Sequence, residues 1–116
     1  MAAYEIPNMR FSAEAGGQVE RRRFVKINED EKGVTAGAGE NVVGASMVDA
    51  AVGEVLEIAN GIVMVEAAEL ITAGSEVQSD ADGKAITVPT EGAGSVAGIA
   101  MTNASGDGTL VAIMIK

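Results

Sequence analysis

A chain of 116 residues has room for one domain, because a single core normally organises on the order of 100–150 residues. It contains no Cys, no His and no Trp, which excludes thiol nucleophiles, imidazole bases, disulfides and the usual soft-ligand metal sites. Its net charge of −9 opposes phosphate contacts, so nucleic acid is not expected as a direct partner.

Hydrophobic residues make up 47% of the chain but aromatics only 3%, so the core must be built from Ala, Val, Ile, Leu and Met. Small side chains each bury little area. Oligomerisation is the expected supplement where disulfides and metals are missing. The 17 acidic residues could supply an acid–base pair for a carboxylate-dependent hydrolase, which would need two carboxylates about 5–10 Å apart in a cleft. No pair stands out in the sequence, and the acidic groups are predicted to be solvated. No catalytic, cofactor-binding or metal-binding residue is assigned.

Charge is unevenly placed. Residues 1–32 hold six of the eight basic groups and six acidic ones, so the remaining 84 residues carry the whole −9. The start, Met1 to Pro7, has neither a basic nor an apolar leader pattern, and no run approaches the ~20 apolar residues of a membrane span. The expectation is a protein made in the cytoplasm and not anchored to a membrane.

Residues 1–20 read as an extended N-terminal arm, interrupted by Pro7 and Gly16-Gly17, with Tyr4, Ile6, Met9 and Phe11 in no sustained period. Such an arm suits either a first edge strand on the body or strand addition to a partner. Arg21, Arg22 and Arg23 follow, where arm meets body. They are either a solvated strand start or cations that dock on an acidic partner surface.

From residue 21 short apolar runs alternate with turn signals. Val55 to Ala59, Asn60-Gly61 and Ile62 to Glu66 predict a hairpin with a type I′ turn. In that register Leu56, Ile58, Val63 and Val65 share one face, and Val55, Glu57, Ala59, Ile62, Met64 and Glu66 the other. Asp82-Gly83 predicts a second hairpin between Glu76 to Ser79 and Ala85 to Val88. Leu110 to Ile115 reads as a last strand apolar on both faces, which calls for cover from the domain or a neighbour.

A helix over 42–59 competes on the i, i+4 spacing of Val43, Met47, Ala51 and Val55, but an internal repeat argues for strands. Val42 to Ala50 aligns with Val96 to Ala104 at an offset of 54 (98 − 44), and the second copy runs into Gly106-Asp107-Gly108, which a helix interior would not tolerate. Gly37-Ala38-Gly39 echoes Gly92-Ala93-Gly94, and Val25 with Asp30 to Gly33 echoes Val77 with Asp80 to Gly83. The expected fold is all-β: a small pseudo-duplicated β-barrel or sandwich, with a body over 21–116 in two related units, about 22–60 and 74–115. Met47 and Met101, equivalent in the repeat, either fill the core or lie at a subunit interface.

The glycine pairs lack the following helix N-terminus that a phosphate loop needs, so they are turn glycines. Asn103-Ala104-Ser105 matches a glycosylation sequon within a turn. Lys84, at a predicted hairpin tip, invites comparison with lipoyl or biotinyl carriers, the alternative reading as a small carrier or adaptor module. Its setting, Asp82-Gly83-Lys84-Ala85, differs from the Asp or Met neighbours those domains place beside the modified Lys.

Residues 21–116 resemble the capsid decoration, or head cement, proteins of tailed bacteriophages. The resemblance runs through Val42 to Leu56, the Gly61 to Val63 segment, the Ala73 to Val77 strand entry, and the closing Val96 to Val111. It implies a β-barrel-like body that trimerises, on the outer surface of the virion, and an N-terminal arm that contacts the major capsid protein. The arm residues are Tyr4, Ile6, Pro7, Met9, Arg10 and Phe11. Binding energy to the assembled lattice would then stabilise the head without chemistry.

Overall fold

A computed structural model describes residues 5–89 and 94–116. Nine strands follow in chain order: β1 (Ile6–Glu14), β2 (Phe24–Ile27), β3 (Gly33–Thr35), β4 (Gly44–Ser46), β5 (Val55–Glu66), β6 (Glu76–Ser79), β7 (Ala85–Thr87), β8 (Gly98–Ala100) and β9 (Leu110–Ile115). Among the described residues there is no helix, so the 42–59 segment is strand, loop and strand. The strands join one curled sheet in the order β3-β2-β4-β5-β9-β8-β6-β7, with β1 added on β5 and every strand pair antiparallel. All-β architecture is thus what the short apolar runs and turn residues produce.

The order is a palindrome of two repeats. The β2–β3 hairpin pairs Val25 with Thr35, and β6–β7 pairs Val77 with Thr87, an offset of 52 (77 − 25). The bridge Val19↔Ala50 returns as Ile71↔Ala104, and Ala15↔Gly33 returns as Ala67↔Ala85. Arg22 and Glu31, the two non-glycine residues at positive φ (68° and 64°), stand where the second unit has Gly74 and Gly83 (92° and 79°). Most of the correspondence reaches upstream of the sequence repeat: Glu14↔Val55 on β1 and β5 is matched by Glu66↔Leu110 on β5 and β9. β1 is therefore the first strand of unit one, and the second half of β5 is the first strand of unit two. The segment expected to extend as an arm lies, over residues 6–14, along β5.

The hairpin expected at Asn60-Gly61 does not form. β5 runs through these residues as one strand of 12. Gly61 does take the positive φ of a turn glycine, 100°, but the chain does not reverse. β1 pairs across the dipeptide on one side (Pro7↔Gly61, Met9↔Asn60), with an irregularity between Pro7 and Met9 absorbing the bend. On the other side pairing passes from β4 at Ile58 and Ala59 to β9 from Ile62 onward. Local turn preference yields to two continuous ladders.

Because side chains alternate along a strand, a continuous β5 also divides the predicted apolar face. Leu56 and Ile58 enter a smaller core with Ala15, Val19, Val25 and Ala50, on which Phe11 and Ala13 pack. Ala59, Val63 and Val65 enter the larger core, with Phe24, Ile71, Val77, Val111 and Ile113. The Asp82-Gly83 hairpin forms as expected: Asp80 Oδ1 accepts from the N–H groups of Asp82 (2.8 Å) and Lys84 (2.9 Å), and Gly83 supplies φ 79°.

Gly44 and Gly98, equivalent at offset 54 (98 − 44), sit where strands approach most closely. A Cβ on Gly44 would run into the carbonyl oxygen of Ala59, and one on Gly98 into that of Met114. Backbone cannot yield cheaply there. Gly44→Ala and Gly98→Ala are each expected to cost about 1–3 kcal/mol, read as a lower urea midpoint at unchanged slope, whereas Gly106→Ala, whose Cβ meets nothing within 4 Å, should leave the midpoint nearly unmoved.

Candidate functional site

On β1, Ile6 and Met9 project their side chains to solvent, 54% and 56% exposed. Arg10 forms an ion pair with Glu57 of β5. Phe11 is turned inward, half-buried on the smaller core. Pro7 pairs through its backbone with Gly61, and its side chain, like all of Tyr4, lies outside the described residues. Of the arm residues, the structure therefore brings Ile6 and Met9 to the surface, engages Arg10 laterally, and uses Phe11 for packing.

The three arginines have three different fates. Arg21 is exposed and anchored only by its backbone N–H, which donates to Asp49 Oδ1 at 2.7 Å. Arg22 places Nη1 2.7 Å from Glu5 Oε2. Arg23 reaches between the two repeats: Nη2 lies 2.8 Å from Glu20 Oε2 and 3.4 Å from Glu66 Oε1, and Nη1 donates to the carbonyl of Asp82 at 3.1 Å. Arg21 thus keeps its side chain at the surface, while Arg22 and Arg23 are engaged by carboxylates of the chain.

Glu66 also faces Lys84, whose Nζ is 3.2 Å from Glu66 Oε2 and 3.0 Å from Asp107 Oδ1. Hydrogen bonds to Asp107 and then to Glu66 hold the Lys84 pKa above its ordinary value. Glu20, Arg23, Asp82 and Lys84 thus border an open depression of about 530 Å³ in which each cation is already paired. A carrier lysine must be reachable and deprotonated to be acylated, and Lys84 is neither free of partners nor lowered in pKa. Nor does any group of three or more acidic residues among those described converge as a metal site.

One further carboxylate is perturbed. Lys26 Nζ, 2.7 Å from Glu40 Oε2, and the Gly37 N–H at Oε1 hold the Glu40 carboxyl below the ordinary carboxylate range. A lowered folded pKa gives a stabilisation that is complete above the unfolded value near 4.5 and disappears as pH falls through the folded value. The arrangement is thus a set of surface ion pairs around the sheet, with no metal-ligating cluster among the described residues.

Sequence reasoning assigned no role to the outward residues of β9, although the signal was present in a terminal strand apolar on both faces. Met114 and Leu110 are 44% and 45% exposed on that strand.

Fold and surface together define a tandem-repeat, all-β structural module. Residues 5–115 match the family model of phage cement proteins, and the chain belongs to that family. It is a capsid decoration protein, located with the phage head. The crystal structure of the head fiber gp8.5 N base in bacteriophage phi29 has the same fold, with a TM-score of 0.75 over 93% of each chain at 21% identity. No curated protein matches in sequence. Family and fold neighbour are both structural phage proteins.

Two outcomes test the ion pairs. Arg23→Ala leaves Glu66 with one cation fewer and is expected to cost about 1–2 kcal/mol, while Arg21→Ala should stay within about 0.5 kcal/mol of wild type, both by urea denaturation. Glu40→Gln should flatten the stability–pH curve below about pH 4.5 and leave its shape above that pH unchanged.

Proposed function

We propose that the protein binds the outer surface of the assembled head as a trimer, contacts the major capsid protein through β1 and the residues before it, and stabilises the shell without catalysis. The observation that carries this reading is the pair Ile6 and Met9, more than half exposed on a nine-residue strand whose ladder partner among the described residues is β5 alone. An apolar edge of this length suits strand addition to, or packing on, a partner surface. Arg21, exposed and with no side-chain ion pair among the described residues, adds a surface cation. Trimeric assembly accords with a core in which 11 of the 22 buried apolar residues are alanine, and it would multiply weak capsid contacts by avidity. In this reading the exposed side of residues 1–20 is the contact element, and the sheet to which β1 belongs supports it.

Residues 6–14 belong to the sheet, so point variants are a better probe than deletion of the arm. Cosedimentation with expanded and unexpanded empty shells should show saturable binding to the expanded form in multiples of three. Met9→Asp with Arg21→Glu should weaken it by about tenfold or more, a loss of about 1.4 kcal/mol or more, without changing the melting temperature. Unchanged binding by the double variant would remove β1 and Arg21 from the contact.

A further inference from the structure

The outward face of β5, β9 and β8 is apolar in a way the rest of the surface is not. Direct cross-strand partners share a face, so the register Ile6↔Ile62, Ile62↔Met114 and Ile99↔Met114 lays Ile6, Ile62, Met114 and Ile99 in one row across four strands. Met64 opposite Ala112 begins a second row, continued by Met101, whose N–H donates to the Ala112 carbonyl at 2.7 Å. Leu110 opens a third, opposite Glu66. Met101, Leu110 and Met114 are 39%, 45% and 44% exposed. The first two rows contain no charged residue, and the patch reaches on the order of 400 Å², the size at which an exposed apolar surface signals an interaction.

The first repeat shows what these positions look like when they are finished. Ile62 and Ala112 correspond to Arg10 and Glu57 (62 − 10 = 52; 112 − 57 = 55), which form an ion pair in water. Ile99, Met101 and Met114 correspond to Ala45, Met47 and Ala59 (99 − 45 = 54; 101 − 47 = 54; 114 − 59 = 55). Ala45 and Ala59 are fully buried in the larger core, on which Met47 packs, because the second repeat covers them. Among the described residues no further repeat lies against the second one.

From this we infer that the Ile62–Met114–Ile99 face is where copies of this chain dock on one another. The inference rests on the self-association proposed above and names its surface. The fold closes the equivalent positions of the first repeat with apolar side chains of a sister unit, so the occupant of matching chemistry is another copy. Two chains of charge −9 can meet here because the charges lie outside the rows, at Glu66 and Glu76 on the border. Three such faces converging on one axis would bury about 1,000 Å² or more in total, enough for a specific interface.

Light scattering and sedimentation of the full chain, without shells, test this directly. Wild type is expected at three times 11.7 kDa. Ile62→Arg with Met101→Glu, which puts a charge on each of the first two rows, and separately Met114→Glu, should each bring the mass to one chain with an unchanged far-ultraviolet circular dichroism spectrum. Leu70→Glu, at an exposed apolar position elsewhere, should keep the wild-type mass. If the double variant does not fold, Met114→Glu still decides. A monomeric wild type, or a Met114→Glu variant of undiminished mass, overturns the inference. So does protection of Met114 from oxidation only on shells, which would give the face to the capsid protein. A wild type of full mass that does not bind shells would count against the capsid reading and leave this one standing.

Discussion

β5 is the constraint on which the remaining strands depend. It closes the first repeat, opens the second, and gives its two faces to two cores: Leu56 and Ile58 to one, Ala59, Val63 and Val65 to the other. Any slip in its register would exchange buried and exposed side chains on β1, β4 and β9 together. Gly44 and Gly98 make this possible, since only a residue without Cβ lets β4 and β8 lie so close to their neighbours. Two units that might have been separable are thereby one sheet.

That continuity bears on stability. Half the buried apolar residues are alanine, which gains little by leaving water, so the packing has to be supplemented by ladders, tight glycine contacts and ion pairs between units. Arg23 is the clearest case: it belongs to the first repeat by sequence and to the second by its contacts with Glu66 and Asp82. The acidic composition also leaves few cations to share. Those beside the inter-unit contact are held in pairs, and Arg21 is the arginine of its triplet whose side chain has no ion pair among those recorded.

The fold class, the repeat and the Asp82-Gly83 turn were legible in the sequence because each rests on local chemistry: alternating apolar residues, glycines at matched offsets, and an Asp80 carboxylate that caps its own loop. Asn60-Gly61 carries the same local signal and misleads. The difference lies in distant partners, β1 on one side and β4 with β9 on the other, which no short window contains. The N-terminal segment misleads for a related reason. Phe11 and Ala13 have no period of their own, yet they correspond to Val63 and Val65, and their place in the core follows from the repeat rather than from their neighbours. Among the candidate contact residues, Ile6 and Met9 are exposed as an interaction surface requires, whereas Arg22 and Arg23 could not be told from free cations until Glu5, Glu20 and Glu66 were placed beside them.

A duplicated fold presents each surface twice, so the positions where the copies diverge carry more information than those they share. Shared positions, such as Gly53 and Gly108 with φ of 86° each, answer to backbone geometry. Divergent ones answer to surroundings. Where the first repeat has Arg10 and Glu57, ion-paired at the surface, the second has Ile62, half-buried, and Ala112, fully buried. Such a difference between two halves of one chain is not written in the strand order they share, and within the chain itself the second half of β5, paired by β1 and β9, has a neighbour that β1 lacks. It reflects something that meets one half and not the other, and for a protein that decorates a shell the proposed second copy and the shell itself are the two candidates outside the chain.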